Sequence, residues 1–194
     1  MPRPNMKKQR RAEIFAAYEA CIARFGVEGA TLDRIAEEAG LARALIRHNV
    51  GNKEKLLADF IDRFFENSDI SQREMMEALP AENASEHLLD MLFDPAYSDQ
   101  KLVLVTEALL AAAGNDPKLA ARMIAWTNGF VLNVRAVLQH DHPKASGTSL
   151  DAASAGISGL YFNIDSFAML GDMEPLRSHT KKAAKLLMEA LKQN

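Results

Sequence analysis

One cysteine, Cys21, stands among 194 residues, so no internal disulfide can staple the chain. No stretch approaches the roughly 18 uninterrupted apolar residues that a membrane span requires, and a transmembrane protein is excluded. The polar start MPRPNMKKQRR lacks the apolar core of a secretory signal, which together with the lone cysteine leads us to expect a reducing, cytoplasmic setting. Paired cysteines, a glycine-rich phosphate loop and a nucleophile with its base are all missing, so neither an enzyme nor a bound cofactor is expected. His140-Asp141-His142 has no third histidine or cysteine nearby and reads as a solvated turn rather than a metal site. What remains is ordinary: 48% hydrophobic and 25% charged residues suit a soluble globular chain of one or two domains.

Charge is spread unevenly. Residues 1–55 carry 11 Lys and Arg against 7 Asp and Glu, whereas residues 56–194 carry 12 against 19. A basic end on an acidic body suits a chain whose first segment meets a polyanion while the rest stays soluble.

Only 7 prolines and 10 glycines interrupt the chain, and between them apolar residues recur three and four apart, the spacing of one helix face. Ile14, Tyr18, Ile22 and Phe25 mark a first helix closed by Gly26. Thr31 is a candidate cap for a short second helix that ends at Gly40, and a third lies between Leu41 and Val50. Asn52 can cap a long fourth helix bearing Leu56, Phe60 and Phe64 and running toward Pro80. Asp116-Pro117 opens a later long helix. Residues 140–150 are rich in turn formers and are expected to be the longest loop, followed by helices over about 150–170 and 174–192.

Residues 31–50, TLDRIAEEAGLARALIRHNV, have the layout of a helix-turn-helix. Ala36 is small where two helices cross, Gly40 permits the positive φ of a tight turn, and Ile46 buries the second helix. The angle set there decides whether that helix fits a major groove.

From Arg11 to Leu57 the chain resembles the DNA-binding domain of the TetR family of transcriptional regulators. Phe25-Gly26, Ala30-Thr31, Ile35-Ala36-Glu37-Glu38-Ala39-Gly40, Ile46, His48 and Lys53-Glu54 carry the resemblance without a gap. It implies that Arg43, Ala44, Leu45, Arg47, His48 and Asn49 face a DNA groove. It further implies that Thr31, Lys53 and an N-terminal arm of Lys7, Lys8, Arg10 and Arg11 meet phosphates; a flexible, solvated tail is the other reading of that arm. The chain departs from the family's pattern on the third helix. Ala42 cannot cap through its side chain, Leu45 offers a base only apolar contact, and Arg47 stands where the family has a phosphate-contacting Tyr.

The resemblance also implies an effector cavity in the C-terminal half. Met91, Met123, Trp126, Phe130, Phe162 and Phe167 supply soft and aromatic lining for a small apolar or amphipathic ligand, with core packing as the alternative. Asn128, Asn133, Arg122 and His87 are polar candidates for orienting it. Small residues at 152–159, the stripe Ile157, Leu160, Tyr161, Ile164, Phe167 and Ala168, and a last-helix stripe of Ala183, Ala184, Leu186, Leu187, Ala190 and Leu191 suit pairing with a second copy, as the family pairs, with packing against the protein's own core as the alternative.

The expected protein is therefore all-α, with about nine helices. A three-helix DNA-binding head over 1–51 joins, through the long fourth helix, an effector-binding and dimerisation domain over 52–194. The expected function is a ligand-responsive repressor that binds a palindromic double-stranded operator as a homodimer through its last two helices, with no membrane partner. The rival is an all-α ligand-binding or protein-interaction module that has lost sequence-specific DNA reading.

Overall fold

A computed structural model describes residues 6–171 and 173–193, positions 168 and 193 by backbone alone. Among them run nine α-helices and no strand: α1 (Met6–Gly29), α2 (Leu32–Ala39), α3 (Arg43–Val50), α4 (Lys53–Glu77), α5 (Ala84–Phe93), α6 (Gln100–Ala113), α7 (Pro117–Asp141), α8 (Gly147–Ser166) and α9 (Leu176–Glu189). Short 3-10 turns follow α5, α8 and α9. Packing separates two compact units. One is the chain up to Asp69 together with Lys101–Ala120; the other is Ile70–Gln100 together with the chain from Ala121. Their bounds differ from the functional division expected at residue 51.

In the first unit, α1 buries Ile14, Tyr18, Cys21 and Ile22 and breaks at Gly26, whose φ of 69° and ψ of 175° no helix contains. Thr31 caps α2 by accepting from the Arg34 N–H at 3.4 Å. Gly40 ends it in the left-handed region, φ 62° and ψ 34°. Its N–H donates to Glu37 O at 3.1 Å and the Leu41 N–H to Ala36 O at 2.9 Å, the paired bonds of a Schellman turn. A residue with a Cβ would strain that turn by about 1–2 kcal/mol. Asn52 caps α4 through Lys55 N–H at 2.9 Å, and Tyr18 meets Phe60 edge-on at 5.2 Å.

The second unit is built around Leu88, Leu89 and Phe93 of α5, Phe130, Val134 and Leu138 of α7, Ile157 and Ile164 of α8, and Ala184 and Met188 of α9. The small residues of α8 divide between two tasks. Ala153, Ser154 and Ser158 are buried within the protomer, and a Cβ at Gly156 would lie 2.7 Å from Leu187 Cδ1, so the bare Gly156 lets α9 approach. Ala152, Ala155 and Gly159 stay exposed. Ile157, Ile164, Ala184 and Leu191, expected on a pairing face, belong to the protomer's own core, because the approach of α9 over Gly156 encloses them.

The loop expected over 140–150 is shorter. Helix α7 runs to Asp141, and Ser146 already caps α8 by accepting from the Ser149 N–H at 3.1 Å. Asp141 has a structural task. Asn83, in the left-handed region, offers α5 no side-chain cap, and Asp141 Oδ2 supplies one, accepting from the Ser85 N–H at 2.7 Å and its O–H at 2.6 Å. Burial pushes this carboxyl up, but the bonds from Ser85 and His140 outweigh it and hold it below its ordinary 3.8. Asp141→Ala should cost about 1–2 kcal/mol, the range of a lost cap, measured by urea unfolding at neutral pH. Because the folded value is the depressed one, the stabilisation is complete above pH 3.8 and is lost as pH falls through the folded value. The gap between wild type and variant should therefore close in acid; a gap independent of pH would contradict the cap.

Candidate nucleic-acid interface

The turn at Gly40 sends the chain from α2 into α3 with Ile46 and Val50 buried beneath it. Helical spacing then turns Arg43, Ala44, Leu45, Arg47 and His48 outward, and all five are exposed. Arg47 and His48 make no side-chain hydrogen bond or ion pair with any described residue, so their donors are available. Arg43 reaches Asp33 at 3.0 Å, an exposed pair that a competing phosphate or base can replace. Leu45 is 37% exposed, an apolar side chain displayed to water on a helix that already buries two others. Asn49 is half-buried and donates its amide to Leu45 O at 2.8 Å. Thr31 uses one lone pair for its cap and keeps its O–H free to donate.

The basic residues near the N-terminus are not an extended arm. Helix α1 begins at Met6, and Lys7, Lys8, Arg10 and Arg11 lie on its first turns. Lys7 and Lys8 are exposed, and Arg10 pairs with Glu13 at 3.0 Å. Arg11 is half-buried and occupied. Its Nη1 donates to Asn49 O at 2.8 Å, its Nη2 to Asp59 Oδ2 at 3.1 Å, and its guanidinium lies 5.4 Å from the Phe15 ring centre. Lys53 donates to Glu28 O at 3.0 Å and meets the Glu28 carboxylate at 3.3 Å, joining the start of α4 to the end of α1. Burial raises the Asp59 carboxyl, but bonds from Lys55 and Arg11 more than offset this and lower it overall.

Sequence spacing did not single out Asp59. Its i,i+4 relation to Lys55 was visible, but its pairing with Arg11 joins residues 48 apart and needs the fold.

Among the expected effector-site residues, Phe130 lies 5.0 Å from Phe162, and Phe162 lies 6.0 Å from Trp126, ring centre to ring centre. Phe130 also stacks on Tyr161 at 5.4 Å. Met123 is buried, Met91 half-buried, and Phe167 sits at the end of α8, 37% exposed. Of the polar candidates, Asn133 is half-buried and donates to Gln72 Oε1 at 3.0 Å, whereas Asn128, Arg122 and His87 are exposed.

A head of three helices with a left-handed turn, a buried Ile46 and an outward basic α3 defines a helix-turn-helix DNA-binding protein. Residues 14–60 match the family of bacterial regulatory proteins, tetR family. The chain is 23% identical to the HTH-type transcriptional regulator BetI of Vibrio vulnificus over 98% of its own length and 95% of that protein's. It is 37% identical to the HTH-type transcriptional repressor AcnR of Corynebacterium jeikeium over 51 residues, 26% of this chain and 27% of that one. A TetR transcription regulator from Haloarcula marismortui has a similar fold, with TM-score 0.73 and 21% identity over 94% of this chain and 98% of that one. The chain thus resembles TetR-family transcriptional regulators: the family's model covers residues 14–60, the similarity to BetI spans nearly the whole length, and the fold is that of a TetR regulator.

Ala42, at the start of α3, has extended backbone but no side-chain oxygen for the free N–H groups that follow. Ala42→Ser should therefore stabilise the head by about 0.5–1 kcal/mol, read as a higher urea midpoint with unchanged slope. A lower midpoint would show that the start of α3 is held in some other way.

Proposed function

We propose that this regulator is a repressor that binds a palindromic operator as a homodimer and leaves it when a small molecule binds the body. The observation that carries the reading is the outward face of α3, where Arg47 and His48, unpaired among the described residues, stand opposite the buried Ile46 and Val50. In this reading Arg43, Ala44, Leu45, Arg47, His48 and Asn49 address base edges, with Leu45 suited to a thymine methyl and Arg47 to a guanine or phosphate. Thr31, Lys53, Lys7, Lys8 and Arg10 stand near the backbone, so binding weakens steeply with salt.

The head is residues 1–51 and the body 52–194, in the cytoplasm. Two heads need a twofold axis to read a palindrome. Exposed Ala152, Ala155 and Gly159 on α8 and Leu186 on α9, 66% exposed, favour a second copy as the element that covers this face. The rings of Trp126, Phe130 and Phe162, with Met91, Met123 and Phe167, favour an apolar or amphipathic effector. A ligand that binds one body conformation better than another shifts the population of head arrangements, and α4, shared by both packing units, is the element that carries the change. The name of AcnR as a repressor agrees with repression.

The rival module without DNA reading draws on the uncapped, apolar start Ala42-Arg43-Ala44-Leu45. Arg47→Ala with His48→Ala separates the two. Loss of base or phosphate contacts at about 1–3 kcal/mol each should lower operator affinity at least tenfold, measured by fluorescence anisotropy. Unchanged affinity in a folded double variant would favour the rival. Ala155→Arg with Leu186→Arg should convert a dimer to monomers in sedimentation and weaken operator binding in parallel; a dimer that survives both cations would place the interface elsewhere.

A further inference from the structure

We propose that Arg11 is a positioning residue: from α1 it ties the last turn of α3 to Asp59 of α4 and so sets the angle at which α3 meets DNA, instead of holding a phosphate itself. This rests on the reading that α3 is the helix that enters the groove.

Helix α3 has eight residues, too few to hold its own direction, and no side chain caps its start at Ala42. Its far end is where it is gripped. Asn49 O belongs to the last turn, whose carbonyls lack intrahelical donors, and Arg11 Nη1 supplies one at 2.8 Å. A cation there is also favoured by the helix dipole. The second arm of the same planar guanidinium reaches Asp59 Oδ2 at 3.1 Å, while Lys55 Nζ holds Asp59 Oδ1 at 3.0 Å. One rigid fork thus spans three helices, and Phe15 supports it, with Arg63 on the same ring at 5.6 Å from its centre. Directly after α3 comes Gly51 with φ 83°, a residue that imposes little direction of its own.

The surroundings are wrong for a phosphate contact. A carboxylate 3.1 Å from the guanidinium already occupies the place an anion would take, and it repels DNA. Lys7 and Lys8, one helical turn earlier, are exposed and carry no such partner among the described residues.

The sign of one substitution separates positioning from electrostatics. Asp59→Asn removes a negative charge from a protein that binds a polyanion, so charge alone makes it bind more tightly. Titrations of wild type, Asp59→Asn, Arg11→Gln, Arg11→Lys and the Asp59→Asn, Arg11→Gln double variant would use an operator duplex and a random duplex over a series of salt concentrations. If Arg11 positions α3, each single variant loses about tenfold in operator affinity, about 1.4 kcal/mol, relative to its own random-duplex affinity, which follows only the change in charge, and the salt slope stays unchanged. Arg11→Lys does not rescue, because an ammonium lacks the fork, and the double variant is no weaker than Arg11→Gln. Operator binding by Asp59→Asn as tight as wild type or tighter overturns the proposal. So does an Arg11→Gln salt slope reduced by about one per head with both duplexes weakened equally.

Hydrogen exchange of the DNA-free proteins is the second readout. The Gly51 N–H, bonded to Arg47 O at 2.9 Å, should exchange faster in Asp59→Asn while the α2 amides do not; equal rates in wild type and variant overturn the clamp. A wild type with no operator preference overturns the parent reading along with this one. Failure of the clamp alone is recognised because Arg47→Ala still weakens operator binding.

Discussion

The reversal at Gly40 is the constraint on which the head depends. Two backbone bonds close it, Gly40 N–H to Glu37 O and Leu41 N–H to Ala36 O, and they are available only because Gly40 adopts φ 62° without strain. The small Ala36 lies buried beside that turn, and Ile46 lies fully buried under the helix that leaves it. Direction, crossing distance and burial are thus decided within eleven residues. The outward set Arg43, Ala44, Leu45, Arg47 and His48 follows from that geometry, since a helix that buries Ile46 and Val50 must present those positions on its other side.

The basic surplus of the N-terminal segment has two uses. Three cationic side chains donate to backbone carbonyls: Arg34 to Gly29 O at 2.7 Å, Lys53 to Glu28 O at 3.0 Å and Arg11 to Asn49 O at 2.8 Å. They join α1 to α2, α4 and α3, at or beside helix ends, where carbonyls lack intrahelical donors and a positive charge is favoured. Those cations hold the head together, and Lys7, Lys8, Arg47 and His48 are left without a side-chain partner among the described residues. A count of positive charges therefore overstates the charge available to a polyanion, and net charge alone would not distinguish the two groups.

Most of the helical layout was legible in the sequence, because it rests on local chemistry. Thr31, Asn52 and Asp116 cap the helices that their spacing announced, and Gly26 and Gly40 break the chain where apolar periodicity stops. What was not legible depends on residues far apart. Asp141 sits in a segment full of turn formers, and only its meeting with Ser85, 56 residues away, shows it to be a helix cap. Arg11 reads as one cation in a basic run until Asn49 and Asp59 are brought to it. The small residues of α8 looked like one pairing face, and Gly156 against Leu187 shows that half of them serve the protomer itself.

The central claim is that a rigidly angled α3 reads DNA sequence as one of a symmetric pair. Selection of bound sequences from a random duplex pool, carried out with the purified protein at low and at physiological salt, tests it most directly. The account predicts one palindromic motif enriched at both salts, its half-sites about one helical turn apart or a multiple of that. Binding that is sequence-blind and vanishes at the higher salt would contradict it, and would reduce the basic head to an electrostatic surface.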